Sequence, residues 1–139
     1  MLRDRGEVGF ESLNGKVLVS IEVLKERGNV GDEIIFTTDT GNRYRLYHEQ
    51  NCCENVEIND ICGDINDLLN TPILLAEEVT NHNEIPDGVN MPEYYESFTW
   101  TFYKIGTVKG SVTIRWYGGS NGYYSERVNF EKIGKAIDG

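Results

Sequence analysis

The chain has 139 residues, of which 39% are hydrophobic and 26% charged, and its formal net charge is −10. This length suits one domain with a real core, and this composition excludes a disordered chain. No apolar run reaches the roughly 18–20 residues that cross a bilayer. The acidic balance argues against a broad nucleic-acid-binding surface, which needs a basic stripe.

The N-terminal residues and the cysteines bear on the compartment. Residues 1–7 are charged and lack a following apolar segment, so we expect no signal peptide and a cytoplasmic protein. Reduced thiols are then the expected state of the three cysteines. A disulfide between the adjacent Cys52 and Cys53 would need a distorted ring and is not expected. Cys53 and Cys62 are expected to be buried, as small hydrophobic residues.

The charges are unevenly distributed along the chain. No Lys or Arg occurs between Arg45 and Lys104. The same interval holds twelve acids: Glu49, Glu54, Glu57, Asp60, Asp64, Asp67, Glu77, Glu78, Glu84, Asp87, Glu93 and Glu96. One interpretation is a solvated acidic surface that keeps the protein soluble. The other is a docking surface for a basic partner, which requires that the acids form one face.

The N-terminal part of the chain predicts a short turn followed by strands. Residues 10–15 can form a turn that packs Phe10 and Leu13 against the body of the domain. Partial alternation and β-rich runs then indicate strands at 16–24, 32–38 and 43–49. Because the connections between them are short, these strands predict an antiparallel meander.

The middle of the chain predicts the one helix. Asn59 and Asp60 can cap a short helix over 61–69, in which apolar residues recur at helical spacing. The helix must end before Pro72. Residues 72–79 then predict a buried strand, and 81–92 predict a loop.

The last third predicts three strands, at 97–105, 111–117 and 123–131, that form a second antiparallel meander. The predicted fold class is therefore α+β, mostly β, with two three-strand antiparallel meanders and one short helix near 61–69. We expect a single compact domain over 10–133, with residues 1–9 and 134–139 frayed.

Period-two alternation assigns faces to the last three strands. The apolar side is Phe98, Trp100, Phe102, Val112, Ile114, Trp116, Tyr124, Val128 and Phe130, with Glu126 as the exception. The polar side is Thr99, Thr101, Tyr103, Thr113, Arg115, Tyr117, Tyr123, Ser125, Arg127 and Asn129. If the preceding loop places Tyr123 opposite Tyr117, Arg115 faces Ser125.

The polar side has the chemistry to bind an anionic, planar ligand. Arg115 and Arg127 can pair with phosphate, and Tyr103, Tyr117 and Tyr123 offer rings for stacking. The alternative is an ordinary exposed β face, where Thr, Tyr and Arg are favoured without any ligand.

The third strand and the segment after it add further candidates. Arg43 and Arg45 could extend the positive site or pair with the acids of residues 49–64. His48 and the three cysteines have enough ligand atoms for zinc, but their spacing is poor, so we assign no metal. The protein could be a thiol-dependent enzyme in which Cys52 or Cys53 acts as the nucleophile beside His48, although no cysteine-hydrolase signature is present. No catalytic residue and no cofactor are assigned.

Five segments, taken in order, resemble a family of small phage and prophage proteins of unknown function. They are residues 47–54, 60–64, 96–104, 113–118 and 121–126, and the likeness extends over about residues 10–131. Phage proteins of this size include counter-defence factors. One class of these are sponges that bind a host immune nucleotide signal without cleaving it, such as the Thoeris anti-defence proteins that sequester cyclic ADP-ribose derivatives.

Three hypotheses of function follow. The first, implied by this likeness, is a non-enzymatic phage-type sponge for a nucleotide-derived immune signal, either cyclic ADP-ribose-like or a cyclic oligonucleotide. Its expected ligand residues are Arg115, Arg127, Tyr103, Tyr117, Tyr123, Arg43, Arg45 and His48. We expect a homo-oligomer in the host cell cytoplasm, without membrane or direct nucleic-acid binding, and in such an oligomer a site can lie at a subunit interface. The second is an acidic inhibitor that docks on a host nucleic-acid-binding defence protein. The third is the thiol-dependent enzyme.

Overall fold

The computed structural model describes residues 6–25, 31–84, 88 and 96–135. These residues form eight strands: β1 (Leu18–Leu24), β2 (Glu33–Thr38), β3 (Asn42–Tyr47), β4 (Asn55–Cys62), β5 (Leu75–His82), β6 (Ser97–Thr107), β7 (Gly110–Ser120) and β8 (Asn129–Lys135). Two antiparallel four-stranded sheets result, with strand orders β1-β2-β3-β8 and β4-β7-β6-β5. The predicted fold class, mostly β with antiparallel sheets, is confirmed.

The first sheet contains the predicted N-terminal meander. Ile34 in the middle of β2 pairs with Val23 of β1 and with Leu46 of β3. Ile34, Phe36, Tyr44 and Leu46 are all buried, because alternate side chains of neighbouring strands point to the same side of a sheet. The apolar alternation of these strands therefore sets their register.

The prediction for the C-terminal meander is correct for two strands and wrong for the third. β6 and β7 form a hairpin whose turn residues are Val108 and Lys109, with Thr107 opposite Gly110. The free side of β7 pairs with β4 and not with residues 123–131. Since both sides of β7 are then occupied, the chain after β7 leaves this sheet, and β8 pairs with β3 in the other one.

The helix predicted over 61–69 is shorter than expected. Residues 59–62 belong to β4, where residues 60–62 pair with β7, and the helical part is a 3-10 helix over Ile65–Leu68. Asp64 caps it, because its carboxylate accepts the Asn66 N–H at 2.9 Å. The strand predicted as buried at 72–79 is β5, an edge strand whose residues are mostly exposed.

The predicted turn near Phe10 is confirmed as a 3-10 helix over Phe10–Leu13, with both of these side chains buried. The Phe10 ring lies between the sheets, with its centroid 6.3 Å from that of Phe36, 4.7 Å from Tyr103 and 5.1 Å from Phe130. This helix therefore closes one side of the core. Neither 3-10 helix of the described residues has the length or the apolar character to cross a membrane.

The N-terminal residues that the structure describes are not frayed. The Val8 N–H donates to the Phe130 carbonyl at 3.1 Å, and the Lys132 N–H donates to the Gly6 carbonyl at 2.8 Å. Residues 6–8 thus lie along β8. Residues 134 and 135, also predicted to be frayed, belong to β8 and pair with β3. Residues 1–5 and 136–139 and most of the loop predicted at 81–92 lie outside the described residues.

A buried hydrogen-bonded pair, His48 and Glu54, joins the end of β3 to the loop that follows it. The His48 and Glu54 side chains are 4% and 0% exposed, and His48 Nε2 lies 2.7 Å from Glu54 Oε2. The other ring nitrogen, Nδ1, lies 2.6 Å from the carbonyl oxygen of Arg127. Both nitrogens face oxygen atoms that accept hydrogen bonds, so the imidazolium form satisfies both contacts. His48 thus fastens residue 127 to the first sheet.

Glu54 also organises its own loop. Its carboxylate accepts the N–H groups of Asn51, at 2.7 Å, and Cys52, at 2.9 Å. Burial raises the pKa of Glu54, but the hydrogen bonds from Asn51, His48 and Cys52 outweigh burial and lower it to about 2. Ionised Glu54 is therefore a stabilising centre of the fold.

The cysteines differ from expectation in state and burial. Cys52 and Cys53 are joined by a disulfide with an Sγ–Sγ distance of 2.11 Å, where reduced thiols were expected. They lie in the exposed part of the loop that Glu54 organises. Cys62 is a free thiol and is exposed at the end of β4, so the predicted burial of Cys53 and Cys62 is wrong.

Gly118 of β7 allows another part of the chain to approach the second sheet. A Cβ at this position would lie 2.8 Å from the Glu126 carbonyl oxygen, 3.0 Å from Glu126 Cβ and 3.3 Å from a methyl of Val56. Backbone and packed side chains cannot yield easily at such distances. The segment through Glu126 can therefore pass over β7 only where β7 lacks a side chain.

We expect acid to destabilise the protein partly through Glu54. Its pKa is lower in the folded chain, about 2, than in the unfolded chain, so its stabilising effect is complete above the unfolded value and is lost as the pH falls towards 2. Glu54→Gln should lower the free energy of unfolding by about 2–3 kcal/mol at pH 7. It should also flatten the pH dependence between roughly pH 5 and 2. Urea titrations at several pH values measure both effects.

Glu49→Gln is the matched control, since Glu49 is exposed in the same loop. If the two variants showed the same stability and the same pH profile, the buried pair would not have the role assigned to it.

We expect Gly118→Ala to cost about 1–3 kcal/mol of stability, because the new methyl group overlaps the Glu126 backbone. Gly106→Ala is the control. Gly106 is also buried in a strand of this sheet, but a Cβ there meets its nearest neighbour at 3.7 Å. Thermal unfolding of the two variants checks the prediction, and equal melting temperatures would contradict it.

Candidate ligand-binding pocket

The inner face of the second sheet is apolar at one end and polar at the other. On β6, Tyr103 and Ile105 contribute to the core, whereas Thr99 and Thr101 continue the same face towards the start of the strand. β5 pairs its own polar residues with this half: Glu78 with Tyr103, Thr80 with Thr101 and His82 with Thr99. Two neighbouring strands thus form one polar wall.

The segment between β7 and β8 faces this wall and encloses a pocket of about 440 Å³. Its lining residues are Glu78, Thr80, His82, Ser97, Thr99, Thr101, Gly122, Tyr124, Ser125, Glu126, Arg127 and Val128. Pockets that bind small molecules are commonly about 300–1,000 Å³. This cavity is therefore large enough for a ligand of nucleoside or nucleotide size.

Glu126 is fixed by hydroxyl groups of the sheet. Thr99 Oγ1 donates to Glu126 Oε1 at 2.7 Å, and Ser120 Oγ donates to Glu126 Oε2 at 2.5 Å. Ser120 Oγ in turn accepts the Gly122 N–H at 3.0 Å. These bonds stabilise a carboxylate at a half-buried position and hold the covering segment against β6 and β7.

Glu78 is oriented by a buried phenol. Tyr103 OH donates to Glu78 Oε2 at 3.1 Å, and Tyr103 is 1% exposed. Burial, followed by the negative charge of Glu78, raises the pKa of Tyr103 well above 10, so the phenol remains a donor. Glu78 thus carries a carboxylate at a defined position in the pocket.

Arg127 supplies the positive charge of the pocket. Its guanidinium pairs with Glu7, a contact that raises the pKa of Arg127, and its side chain remains 53% exposed. The carboxylates of Glu78 and Glu126 line the same pocket. Because acids exceed bases here, the pocket disfavours a ligand with many phosphates along its length and accommodates one with a single anionic end.

Three of the predicted ligand residues are in or next to this pocket. Arg127 lines it, and Tyr103 bonds to Glu78 from the core side. Tyr123 is 83% exposed, and its ring lies 5.0 Å from that of Tyr124, which lines the pocket. Tyr123 and Tyr124 therefore place aromatic surface at the rim.

Arg115 and Tyr117 lie on the opposite face of the second sheet. The register pairs Trp100 with Tyr117, whose rings are 4.9 Å apart, and Arg115 Cζ lies 5.7 Å from the Trp100 ring. Arg115 also donates to Asn59 Oδ1 at 2.8 Å. The expected pairing of Arg115 with Ser125 is wrong. Residues 123–131 do not pair with β7, which lies between β4 and β6. The predicted phase of β7 relative to β6 was also wrong by one residue, and such a shift exchanges the faces.

The other three predicted residues are elsewhere again. Arg43 and Arg45 alternate with buried residues on the outer face of β3. Arg45 pairs with Glu33 at 2.7 Å and with Glu131 at 3.5 Å, and it stacks 3.7 Å from the centroid of Tyr47. Arg45 therefore forms surface ion pairs and does not extend the positive site. Its partners, Glu33 and Glu131, lie outside the predicted residues 49–64. His48 touches the pocket segment only through the Arg127 backbone.

The structure also bears on the two other hypotheses. Ten of the twelve acids lie in the described residues, and they do not form one face: Glu54 is buried, Asp64 caps a helix and Glu78 lines the pocket. This distribution does not favour a single acidic docking surface. Both nitrogens of His48 have partners, and Cys52 is bonded to Cys53, so this arrangement offers no thiol activated by His48.

Among the described residues, no group of three or more His, Cys, Asp or Glu side chains is arranged to hold a metal ion. Trp100 and Trp116 are buried, and their Nε1 atoms have no hydrogen-bond partner.

Sequence reasoning missed the β5 wall and the role of Glu126. The signal for β5 was the alternation Ala76, Glu78, Thr80, His82, in which one face changes from apolar to polar. Glu126 was identified as the polar exception on an apolar face, and such an exception indicates a carboxylate with buried partners.

Comparison with known proteins gives one match. No curated protein and no solved structure matches the chain. The model of one protein family, described as a domain of unknown function (DUF7448), matches residues 11–130. This match covers the 3-10 helix at Phe10–Leu13 almost entirely, β1 to β7 and the first residues of β8. The chain therefore belongs to the DUF7448 family.

Proposed function

We propose that this protein binds a small nucleotide-derived ligand in the pocket between β5, β6 and the segment 122–128, and holds it without cleaving it. The observation that supports this most directly is the pairing of two chemically different walls. One wall is made of carboxylate and hydroxyl groups, and the other offers an arginine and a tyrosine ring.

The first wall suits the sugar part of such a ligand. Ribose hydroxyls donate to carboxylates and exchange hydrogen bonds with threonine hydroxyls. Glu78, Thr80 and Thr101 present these groups on adjacent strands, with Thr80 directly opposite Thr101 in the register. A rigid sheet positions such groups more accurately than a loop does.

The second wall suits the phosphate and the base. Arg127 can pair with one phosphate at the open side of the pocket, and the Tyr124 ring can stack on a base. The acidic surroundings favour a ligand in which a single anionic group reaches Arg127 while neutral, hydroxyl-bearing parts occupy the interior.

The proposed cellular role is sequestration of a host immune signal by a phage-type counter-defence protein. The likeness to small phage and prophage proteins supports this role. Tight binding is sufficient for sequestration, so the proposal requires no chemical step. Cyclic ADP-ribose derivatives contain ribose, base and one diphosphate group, and they therefore suit these walls better than cyclic oligonucleotides, which carry phosphates around the whole ring.

We expect a nucleotide-derived ligand to stabilise the protein and to depend on Arg127. Thermal-shift and calorimetric titrations should cover ADP-ribose, cyclic ADP-ribose, cyclic dinucleotides and adenosine monophosphate. Arg127→Gln should weaken binding about 10- to 100-fold, the effect of losing a charge-assisted hydrogen bond. Arg43→Gln is the control, since Arg43 lies on the outer face of the other sheet. Ligand recovered intact after long incubation would agree with binding without cleavage.

No stabilisation by any of these compounds at millimolar concentration would overturn the proposal. A native mass spectrum of the purified protein would measure the proposed homo-oligomer and reveal any co-purified small molecule.

A further inference from the structure

The hydrogen bonds around Thr99 determine which nitrogen of His82 carries its proton. The Thr99 hydroxyl has one proton, and it donates that proton to Glu126 Oε1 at 2.7 Å. His82 Nδ1 lies 3.0 Å from the same hydroxyl oxygen. Because that oxygen can then only accept, Nδ1 must be the donor. Neutral His82 therefore has its proton on Nδ1.

This arrangement leaves Nε2 of His82 as a hydrogen-bond acceptor. No described residue is a partner of Nε2, and His82 lines the pocket. Glu78 presents a second acceptor from the same face of β5, four residues away. Along a strand, residues two apart are about 6–7 Å apart on one face. The β5 wall thus offers acceptors at both ends, with the Thr80 hydroxyl between them.

The hydrogen bonds of Ser120 explain why the donor and acceptor roles around Thr99 are fixed. The Glu126 carboxylate accepts hydroxyl protons from Thr99 and from Ser120, and the Ser120 hydroxyl accepts the Gly122 N–H. Every donor in this series of three hydrogen bonds has an acceptor, so reversing one bond would leave a half-buried group without a partner. Gly118 is compatible with this hydrogen-bond network, because it has no side chain and the Glu126 backbone can therefore lie over β7.

We propose that His82 is a specificity-determining residue that accepts a hydrogen bond from a sugar hydroxyl of the ligand, and that Thr99 and Glu126 position it for this role. The inference rests on the proposed function, since it names the part of a nucleotide-derived ligand that faces β5. The site then takes ribonucleosides and their derivatives in preference to deoxy forms. A fully ionised phosphate cannot replace the hydroxyl, because it has no proton to give to Nε2.

The first test needs no ligand. The chain has two histidines, so nitrogen-15 spectra of the side chains are readily assigned by comparison with the His82→Phe variant, which leaves the His48–Glu54 pair in place. In the spectrum of its uncharged form, His82 should show the pattern of a ring protonated at Nδ1. A ring protonated at Nε2 would overturn the inference, whatever the ligand proves to be.

The second test measures discrimination by calorimetry, with adenosine monophosphate and its 2′,3′-dideoxy analogue as probes. The wild-type protein should prefer the ribose form by about tenfold. His82→Phe should reduce this ratio to about threefold, because the hydroxyl contacts with Glu78 and Thr80 remain. Thr99→Val should reduce it as well, because the ring loses the acceptor for Nδ1–H, whereas Thr99→Ser keeps the hydroxyl and should retain the preference.

The outcomes separate the two proposals. If neither probe binds and no other nucleotide does, the proposed function fails, and the nitrogen-15 result still decides the state of His82. If both probes bind equally well to the wild-type protein, the proposed function survives and the role of His82 is wrong. Circular dichroism and melting curves of the Thr99 variants show whether a loss of discrimination merely reflects unfolding.

Discussion

A buried charge with its partners is the constraint on which the rest of this structure depends. Glu54 is fully enclosed, and its carboxylate is satisfied by His48 and by backbone N–H groups of its own loop. An enclosed carboxylate without such partners would be very costly. By way of His48, the same group holds the carbonyl of residue 127, which belongs to the pocket wall. The candidate site and the first sheet therefore share one electrostatic anchor, although His48 itself does not line the cavity.

The sequence was sufficient to predict the elements whose pattern is local. The meander β1–β3, the hairpin of β6 and β7 and the packing of Phe10 follow from alternation and short turns. The pairing of β4 with β7 and of β8 with β3 could not be predicted, because it joins segments far apart in the chain. The helix prediction failed for a related reason: β7 offers an edge with which residues 60–62 pair as a strand, so these residues do not form a helix.

The candidate site depended on these long-range pairings. Alternation correctly separated Thr99 and Thr101 from Trp100, but the relative phase of β6 and β7 is a tertiary property. Arg115 was therefore assigned to the face of Arg127 and lies on the opposite one. Glu126 could be recognised as an exception but not as a partner of Thr99, which is 27 positions away. Local patterns identified unusual residues, and only the fold determined which of them meet.

The position of β5 in its sheet determines how firmly one wall of the pocket is held. Among the described residues, this strand is hydrogen-bonded to β6 alone, and most of its side chains are exposed. A strand that is held on one side opens at a lower free energy than a central strand. Ala76 is buried at one end of β5, whereas His82 at the other end borders the cavity. Amide hydrogens of β5 should then exchange with solvent faster than those of β7, and a bound molecule that bridges both walls would slow that exchange. The wall that carries the acceptors is thus also a part of this sheet that a bound molecule would stabilise.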